Sequence, residues 1–135
     1  MYKITSEQLK WAFESPACRF MMTTGDSYCA VGKVATLCLG EDVVRQNITS
    51  FADGITQHGK PVTDFLSAIK HFTGKSWASY ANINDTEEGS LQDNHRKALR
   101  ALLQDALAAG FIELEDEVAK EFYYTLQGNT VDEMA

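Results

Sequence analysis

Cys29 is the residue of this sequence best placed to act as a nucleophile. It follows the turn at residues 25–27 and stands just before a predicted helix. The positive end of a helix dipole favours a thiolate, and therefore lowers the pKa of a cysteine at that position. A cysteine hydrolase or transferase also needs a histidine base and a third group that orients the histidine. The sequence offers His95 as the base and Asp85 as the orienting group, which together define a catalytic hypothesis.

Cys29 and His95 also fit structural roles. Cysteine is among the residue types most often buried, and Cys29 falls where a helix would meet a hairpin. His95 lies in the apolar stripe of the strongest predicted helix, where a ring nitrogen can bond a backbone carbonyl or a carboxylate. Because no sequence pattern of a cysteine protease surrounds Cys29, the non-catalytic interpretation is favoured for both residues.

Four carboxylates, Asp85, Glu87, Glu88 and Asp93, form an acidic cluster. Carboxylate oxygens bind hard cations such as Ca²⁺, so a metal-binding protein is a second alternative. The alternating ligands, the glycine and the terminal glutamate of an EF-hand loop are not in place, however. Asp85 followed three residues later by Glu88 is typical of a helix N-terminus. We therefore predict that Asp85 caps the next helix, and that the protein has no metal and no cofactor.

The elements that must position these residues are mainly helical. Apolar residues recur at helical spacing through most of the chain, which predicts a mainly α (α+β) fold: a compact bundle of five to seven short helices. A small β-hairpin is predicted near residues 18–28, and a short strand near 111–114 beside that hairpin. The predicted helices span residues 6–14, 29–40, 41–57, 63–72, 76–83, 91–109 and 116–127.

Two of these helices carry the clearest signals. Thr5 and Gln8 have the spacing of a capping box at the start of the first helix. The helix at 91–109 has a continuous apolar stripe that faces a core. That stripe consists of Leu91, His95, Ala98, Leu99, Leu102, Leu103 and Ala106.

Three stretches also support a family resemblance. They are Tyr28-Cys29-Ala30-Val31-Gly32, Ile83-Asn84-Asp85 and residues 99–106. Over roughly residues 20–107 the chain resembles an uncharacterised family of short bacterial and phage proteins, which have a small hairpin, a Cys-Ala-aliphatic-Gly-Ala helix and a Trp-Asn-Asp motif. Lys33 stands where the family usually has alanine, and Ile83 where it has tryptophan. The resemblance implies a fold and no reaction.

The matching motifs predict a tight junction. Ala30 and Gly32 have minimal side chains, which lets another segment approach the helix backbone closely. Asn84 and Asp85 are the residues we expect to make that approach. Cys29, Gly32, Asn84 and Asp85 would then meet, either as a binding site or as a joint that defines the fold, and the joint is favoured.

Charge is distributed unevenly along the chain. The whole chain has a net charge of −7, and residues 113–135 hold seven acids and one base, which is 1 − 7 = −6. We therefore predict a globular helical domain at 1–114 and an acidic C-terminal helix and tail at 115–135. The acidity disfavours binding to nucleic acid phosphates. Tyr123 and Tyr124, beside these acids, are candidate contacts for a protein partner.

The remaining signals concern location and function class. No secretory signal is recognised at the start of the sequence, no apolar run approaches the roughly 20 residues of a membrane helix, and the three cysteines fit a reducing compartment. We expect a small, non-catalytic cytoplasmic protein that acts through protein contacts. The alternatives are the Cys29 hydrolase or transferase and the carboxylate metal site.

Overall fold

The computed structural model describes residues 2–18, 23–24, 27–50 and 56–126. Within them the chain is mainly helical, which confirms the predicted fold class. Helix α6 provides the centre of the core, because its predicted apolar stripe from His95 to Ala106 is buried. The helices are α1 Ser6–Glu14, α2 Ala30–Leu39, α3 Glu41–Gln46, α4 Lys60–Thr73, α5 Trp77–Asn84, α6 Leu91–Ala108 and α7 Glu117–Leu126.

The described strands are short and form three two-stranded sheets. The predicted hairpin is confirmed: two of these strands pair antiparallel on either side of the predicted turn, whose residues 25–26, like residues 19–22, lie outside the described ranges. The strands are β1 Tyr2–Ile4, β2 Thr23–Thr24, β3 Ser27–Tyr28, β4 Ile48–Ser50, β5 Thr56–His58 and β6 Ile112–Leu114.

Local capping fixes the start of α1 as predicted. The Thr5 hydroxyl accepts a hydrogen bond from the Gln8 backbone N–H, and the Gln8 side chain accepts one from the Thr5 backbone N–H. The capping box is therefore confirmed. At α6 the predicted cap is wrong: Ser90 caps this helix by accepting from the Asp93 N–H, whereas Asp85 is the residue that follows α5.

The predicted helix at 41–57 is wrong beyond residue 46. The backbone leaves the helical region at Asn47, whose side-chain amide donates back to the Val43 carbonyl at 2.8 Å. Strand β4 then pairs antiparallel with β5. The β-branched residues Ile48, Thr49 and Thr56 favour extended backbone over helix, which explains the change. Residues 51–55 lie outside the described ranges.

Strand β6 forms where the sequence predicts one, but its partner differs from the expectation. It pairs in parallel with β1, in the register Tyr2 with Ile112, and not with the hairpin. The Tyr2 ring packs edge-on against Phe65 and Phe111, so burial of aromatic surface holds the N-terminal strand against the end of α6. Strand β1 itself was not predicted.

Helix α7 packs on the body of the protein. Its residues Ala119 and Tyr123 belong to the same buried core cluster as α6 and α1. On the opposite face, Val118 and Tyr124 are exposed to solvent, at 63% and 40%. None of the described helices combines the length and the apolar composition that a membrane crossing requires.

The packing of α7 generates a prediction with a matched control. Ala119→Asp places a carboxylate in a fully buried position, and we expect it to lower the free energy of unfolding by about 3 kcal/mol. Val118→Asp, one residue earlier on the exposed face, should change it by less than about 1 kcal/mol. Urea unfolding of both variants measures the difference. Equal effects would contradict the burial of this face of α7.

Candidate functional site

The side chain of Asn84 lies at the centre of a buried polar junction. Its Oδ1 accepts hydrogen bonds from the Ala30 backbone N–H at 3.0 Å and from His95 Nδ1 at 2.8 Å. Its Nδ2 donates to the Cys18 carbonyl and to Asp85 Oδ1, both at 2.9 Å. Asn84 is fully buried, and all of its hydrogen-bonding capacity is used. Because Oδ1 can only accept, Nδ1 of His95 carries a proton.

Separate elements bring these groups together. Asn84 is the last residue of α5, Ala30 begins α2, and His95 lies in the second turn of α6. Residues 16–18 are held beside β3, because the Cys18 N–H donates to the Tyr28 carbonyl at 3.1 Å. The predicted approach of Asn84 and Asp85 to the start of α2 is thereby confirmed.

Cys29 caps α2. Its sulfur accepts a hydrogen bond from the Gly32 backbone N–H at 3.4 Å, and its side chain is buried. Burial removes the thiol from water and raises the pKa of Cys29 to about 12. The backbone N–H groups at the start of α2 act in the opposite direction, as the sequence predicts, but their effect is smaller. At neutral pH the residue is therefore a protonated thiol, which is a poor nucleophile.

His95 is fully buried and neutral. Burial, together with the positive charges of Lys33 and Arg96, lowers its pKa to about 3. Its Nε2 has no hydrogen-bond partner among the described residues. The ring therefore makes no hydrogen bond to the thiol of Cys29, which a nucleophile–base pair requires. Asn84 bonds to His95, to Asp85 and to the N–H of Ala30, which follows Cys29, so these residues lie near one another without the hydrogen bonds of a catalytic triad.

Lys33 belongs to the junction and was missed as a functional candidate. It is fully buried, and its ammonium group donates to the backbone carbonyls of Ala12 and Ser15, the latter at 2.8 Å. These carbonyls lie at the end of α1, where intrahelical donors are lacking. Burial and the nearby charge of Arg96 lower the pKa of Lys33 to about 8. The sequence signal that could have identified Lys33 is that it is the one charged residue of the mainly apolar helix α2.

The two tyrosines singled out from the sequence have different environments. Tyr123 is buried, whereas Tyr124 is 40% exposed, and their rings contact each other edge-on with centroids 5.7 Å apart. Both border a groove of about 350 Å³ between β6 and α7. The groove is lined by Leu107, Ile112, Glu113, Leu114, Lys120, Tyr123 and Tyr124.

Three residues of the acidic cluster, Asp85, Glu87 and Glu88, lie in the loop between α5 and α6, and the fourth, Asp93, lies in the first turn of α6. Asn94 closes this loop, because its side-chain amide donates to the carbonyls of Thr86 and Glu88 at 2.9 and 2.7 Å. Across the described part of the chain, no group of three or more His, Cys, Asp and Glu side chains is arranged to hold a metal ion. The geometry therefore gives no support to the metal-binding alternative.

Comparison of the chain with protein-family models, with curated proteins and with solved structures found no match. The resemblance of residues 20–107 to an uncharacterised family of short bacterial and phage proteins stays a prediction.

The capping role of Cys29 is testable with two substitutions. A serine at this position would retain an acceptor for the Gly32 N–H, whereas an alanine would not. We therefore expect Cys29→Ala to be about 1 kcal/mol less stable than Cys29→Ser in urea unfolding, which is the typical value of an N-cap side chain. Equal stabilities would show that the sulfur does not cap α2.

The neutral state of His95 predicts an acid-sensitive fold. The unfolded chain protonates this residue below pH 6.5, whereas the folded chain does so only near pH 3. Between these values the unfolded state binds more protons, so stability falls as pH falls. Between pH 7 and pH 5 the protonation of His95 in the unfolded chain lowers the free energy of unfolding by about 2 kcal/mol at most.

Urea unfolding at both pH values measures this loss. His95→Gln should remove much of it, and His71→Gln, at an exposed position on α4, should retain it. Independently, the ring resonances of His95 in the native protein should stay those of a neutral imidazole at pH 5. An imidazolium signal at that pH would contradict the prediction.

Proposed function

We propose that this protein is a non-catalytic binding protein that acts through contacts with another protein. The observation that carries the proposal is the groove between β6 and α7, where the exposed Tyr124 and the partly buried Leu107 and Leu114 lie beside an acidic segment. The three free thiols support placing such a protein in a reducing compartment, the cytoplasm.

The state of the buried junction supports a non-catalytic function. The protonated thiol of Cys29 is capped and buried, and the ring of His95 bonds to Asn84. A cysteine hydrolase or transferase would need an accessible thiolate with a base within reach. The geometry therefore favours a structural role for these residues over the enzymatic alternative.

The groove offers apolar surface to a partner. Leu107 and Leu114 contribute partly buried apolar side chains, and Tyr124 lies partly exposed at its border, whereas Ile112 is buried. Val118, on the exposed face of α7, is the most exposed of the large apolar side chains described. Strand β6 pairs only with β1 in the described sheet, so an extended partner segment could run along the groove beside it.

Charge identifies the kind of segment that fits. Residues 113–121 contain five acids, at positions 113, 115, 116, 117 and 121, and one base, Lys120. Lys120 is already paired with Glu117 at 3.0 Å, and Glu113 with Lys3 at 3.8 Å. The net negative charge of this segment favours a partner segment that alternates Lys or Arg with apolar residues.

A defined peptide tests this proposal. The probe is a fluorescent 12-residue peptide (about 40 Å long when extended) that alternates Lys with Val, and binding to the full chain is followed by anisotropy. The paired substitution Glu117→Lys and Glu121→Lys should weaken binding at least about fivefold, since it reverses the local charge. Tyr124→Ser should weaken it as well, because apolar contact is lost.

The matched control makes the same change in net charge elsewhere. Glu14 and Glu88 are exposed acids on α1 and on the loop before α6. The paired substitution Glu14→Lys and Glu88→Lys should change the affinity for the peptide less than about twofold. Affinities are compared at added salt, which screens long-range attraction between the peptide and the net charge of the protein. Equal losses in the two charge-reversed variants, or no measurable binding to the wild-type chain, would contradict the groove as the docking site.

A further inference from the structure

A short parallel pairing places two of the three cysteines side by side. Ala17 forms an isolated parallel bridge with Tyr28, the last residue of β3. The Tyr28 N–H donates to the Pro16 carbonyl, and the Cys18 N–H donates to the Tyr28 carbonyl, both at 3.1 Å. These two bonds fix the register of the segments. The residues that follow the bridge, Cys18 and Cys29, therefore stand opposite each other.

The side chain of Asn84 keeps the two segments adjacent beyond this bridge. In a parallel ladder the next hydrogen bond would join the Cys18 carbonyl to the Ala30 N–H. The Asn84 amide stands between these two groups, since Nδ2 donates to the Cys18 carbonyl at 2.9 Å and Oδ1 accepts from the Ala30 N–H at 3.0 Å. Cys18 and Cys29 therefore lie between a direct backbone bond and a single bridging amide.

The backbone at this point fits the geometry of a disulfide. Neighbouring strands lie about 4.8 Å apart, and the Cα atoms of a disulfide lie about 4.4–6.8 Å apart. Cys29 is still extended, with φ −76° and ψ 171°, before α2 begins. Opposite residues of a parallel pair project their side chains to the same face. One S–S bond can therefore join Cys18 to Cys29 with little movement of the backbone.

The third cysteine, Cys38, is placed too far away to join either of them. It lies near the end of α2, whereas Cys18 and Cys29 are at its start. At 1.5 Å per residue, the distance along the helix from Cys29 to Cys38 is about 13 Å, which exceeds the span of a disulfide.

Burial makes all three thiols slow to react. Desolvation raises the pKa of Cys18 to about 11, and the pKa values of Cys29 and Cys38 to about 12. Only a thiolate attacks a disulfide, so exchange at neutral pH is slow for each of them. A difference between the pair and Cys38 at equilibrium would therefore come from proximity and not from thiolate character.

We propose that Cys18 and Cys29 are a redox-sensitive pair, which closes into an intramolecular disulfide by exchange with a small-molecule disulfide of the glutathione type. In a reducing compartment such a bond is transient and forms when the oxidised disulfide accumulates. The pair lies at the start of α2 and is independent of the groove proposed for protein contacts.

The exchange takes place in two balanced steps. Cys18, which is partly exposed, loses its proton and attacks one sulfur of oxidised glutathione, so that a mixed disulfide forms and one glutathione thiolate leaves. The thiolate of Cys29 then attacks the Cys18 sulfur and displaces the second glutathione. Two protein thiols are oxidised, two glutathione sulfurs are reduced, and the leaving thiolates take up the two protons.

Equilibration of the folded full chain with mixtures of reduced and oxidised glutathione tests the proposal. Acid stops the exchange, and mass spectrometry then identifies the state of each cysteine. Trypsin cleaves after Arg19 and Lys33, so the three cysteines are in separate peptides. We expect one cross-linked pair of peptides, which joins Cys18 to Cys29 with a loss of about 2 Da.

Cys38 provides an internal control. The yield of the disulfide between Cys18 and Cys29 should exceed the addition of glutathione to Cys38 at least about tenfold, because each thiol of the pair is held at a high effective concentration for the other. The proposal would be overturned by a cross-link that includes Cys38, by equal oxidation of all three cysteines, by no cross-link at any glutathione ratio, or by a cross-link that forms only in urea.

Two serine variants provide the second arm. Cys18→Ser should lower the oxidation of Cys29 at least about tenfold, since it removes the partner thiol. Cys38→Ser removes one thiol from the far end of α2 and should change the yield of the disulfide less than about twofold. Circular dichroism confirms that both variants are folded before the exchange. Equal effects of the two substitutions on the oxidation of Cys29 would reject the pair.

Discussion

The fold depends on the hydrogen bonds of one buried amide, the side chain of Asn84. A buried amide must satisfy both its donors and its acceptor, and here the partners come from α2, α6 and the segment before the hairpin. Loss of this side chain would leave several buried groups unpaired, each at a cost of about 1–3 kcal/mol. The positions of α2, α5 and α6 are therefore set together, since a shift of any one of them breaks a bond to Asn84.

The same network decides the chemistry of the junction. Asn84 fixes the tautomer of His95, and burial together with two nearby cations keeps the ring neutral. Cys29 occupies the N-cap of α2, where burial outweighs the helix dipole and keeps the thiol protonated. Cys29 thus caps a helix, and His95 holds its ring against Asn84.

Lys33 shows how the core tolerates a charge. Its ammonium donates hydrogen bonds to two backbone carbonyls at the end of α1. Because Lys33 lies on α2, these bonds hold α1 against α2. Burying a charge without a counter-ion is unfavourable, which is consistent with the lowered pKa of Lys33. The groove at α7 is formed with β6 and does not include Lys33.

The sequence by itself determined the features that depend on neighbouring residues. The capping box of α1, the apolar stripe of α6 and the pairing of β2 with β3 arise within a few positions along the chain, so spacing predicts them. The meeting of Asn84 with the start of α2 was also predictable, because small residues there permit close approach. Only the tertiary structure decided the pairing of β1 with β6 and the burial of Lys33. These outcomes depend on contacts between segments distant in sequence, whose packing and desolvation no local pattern records.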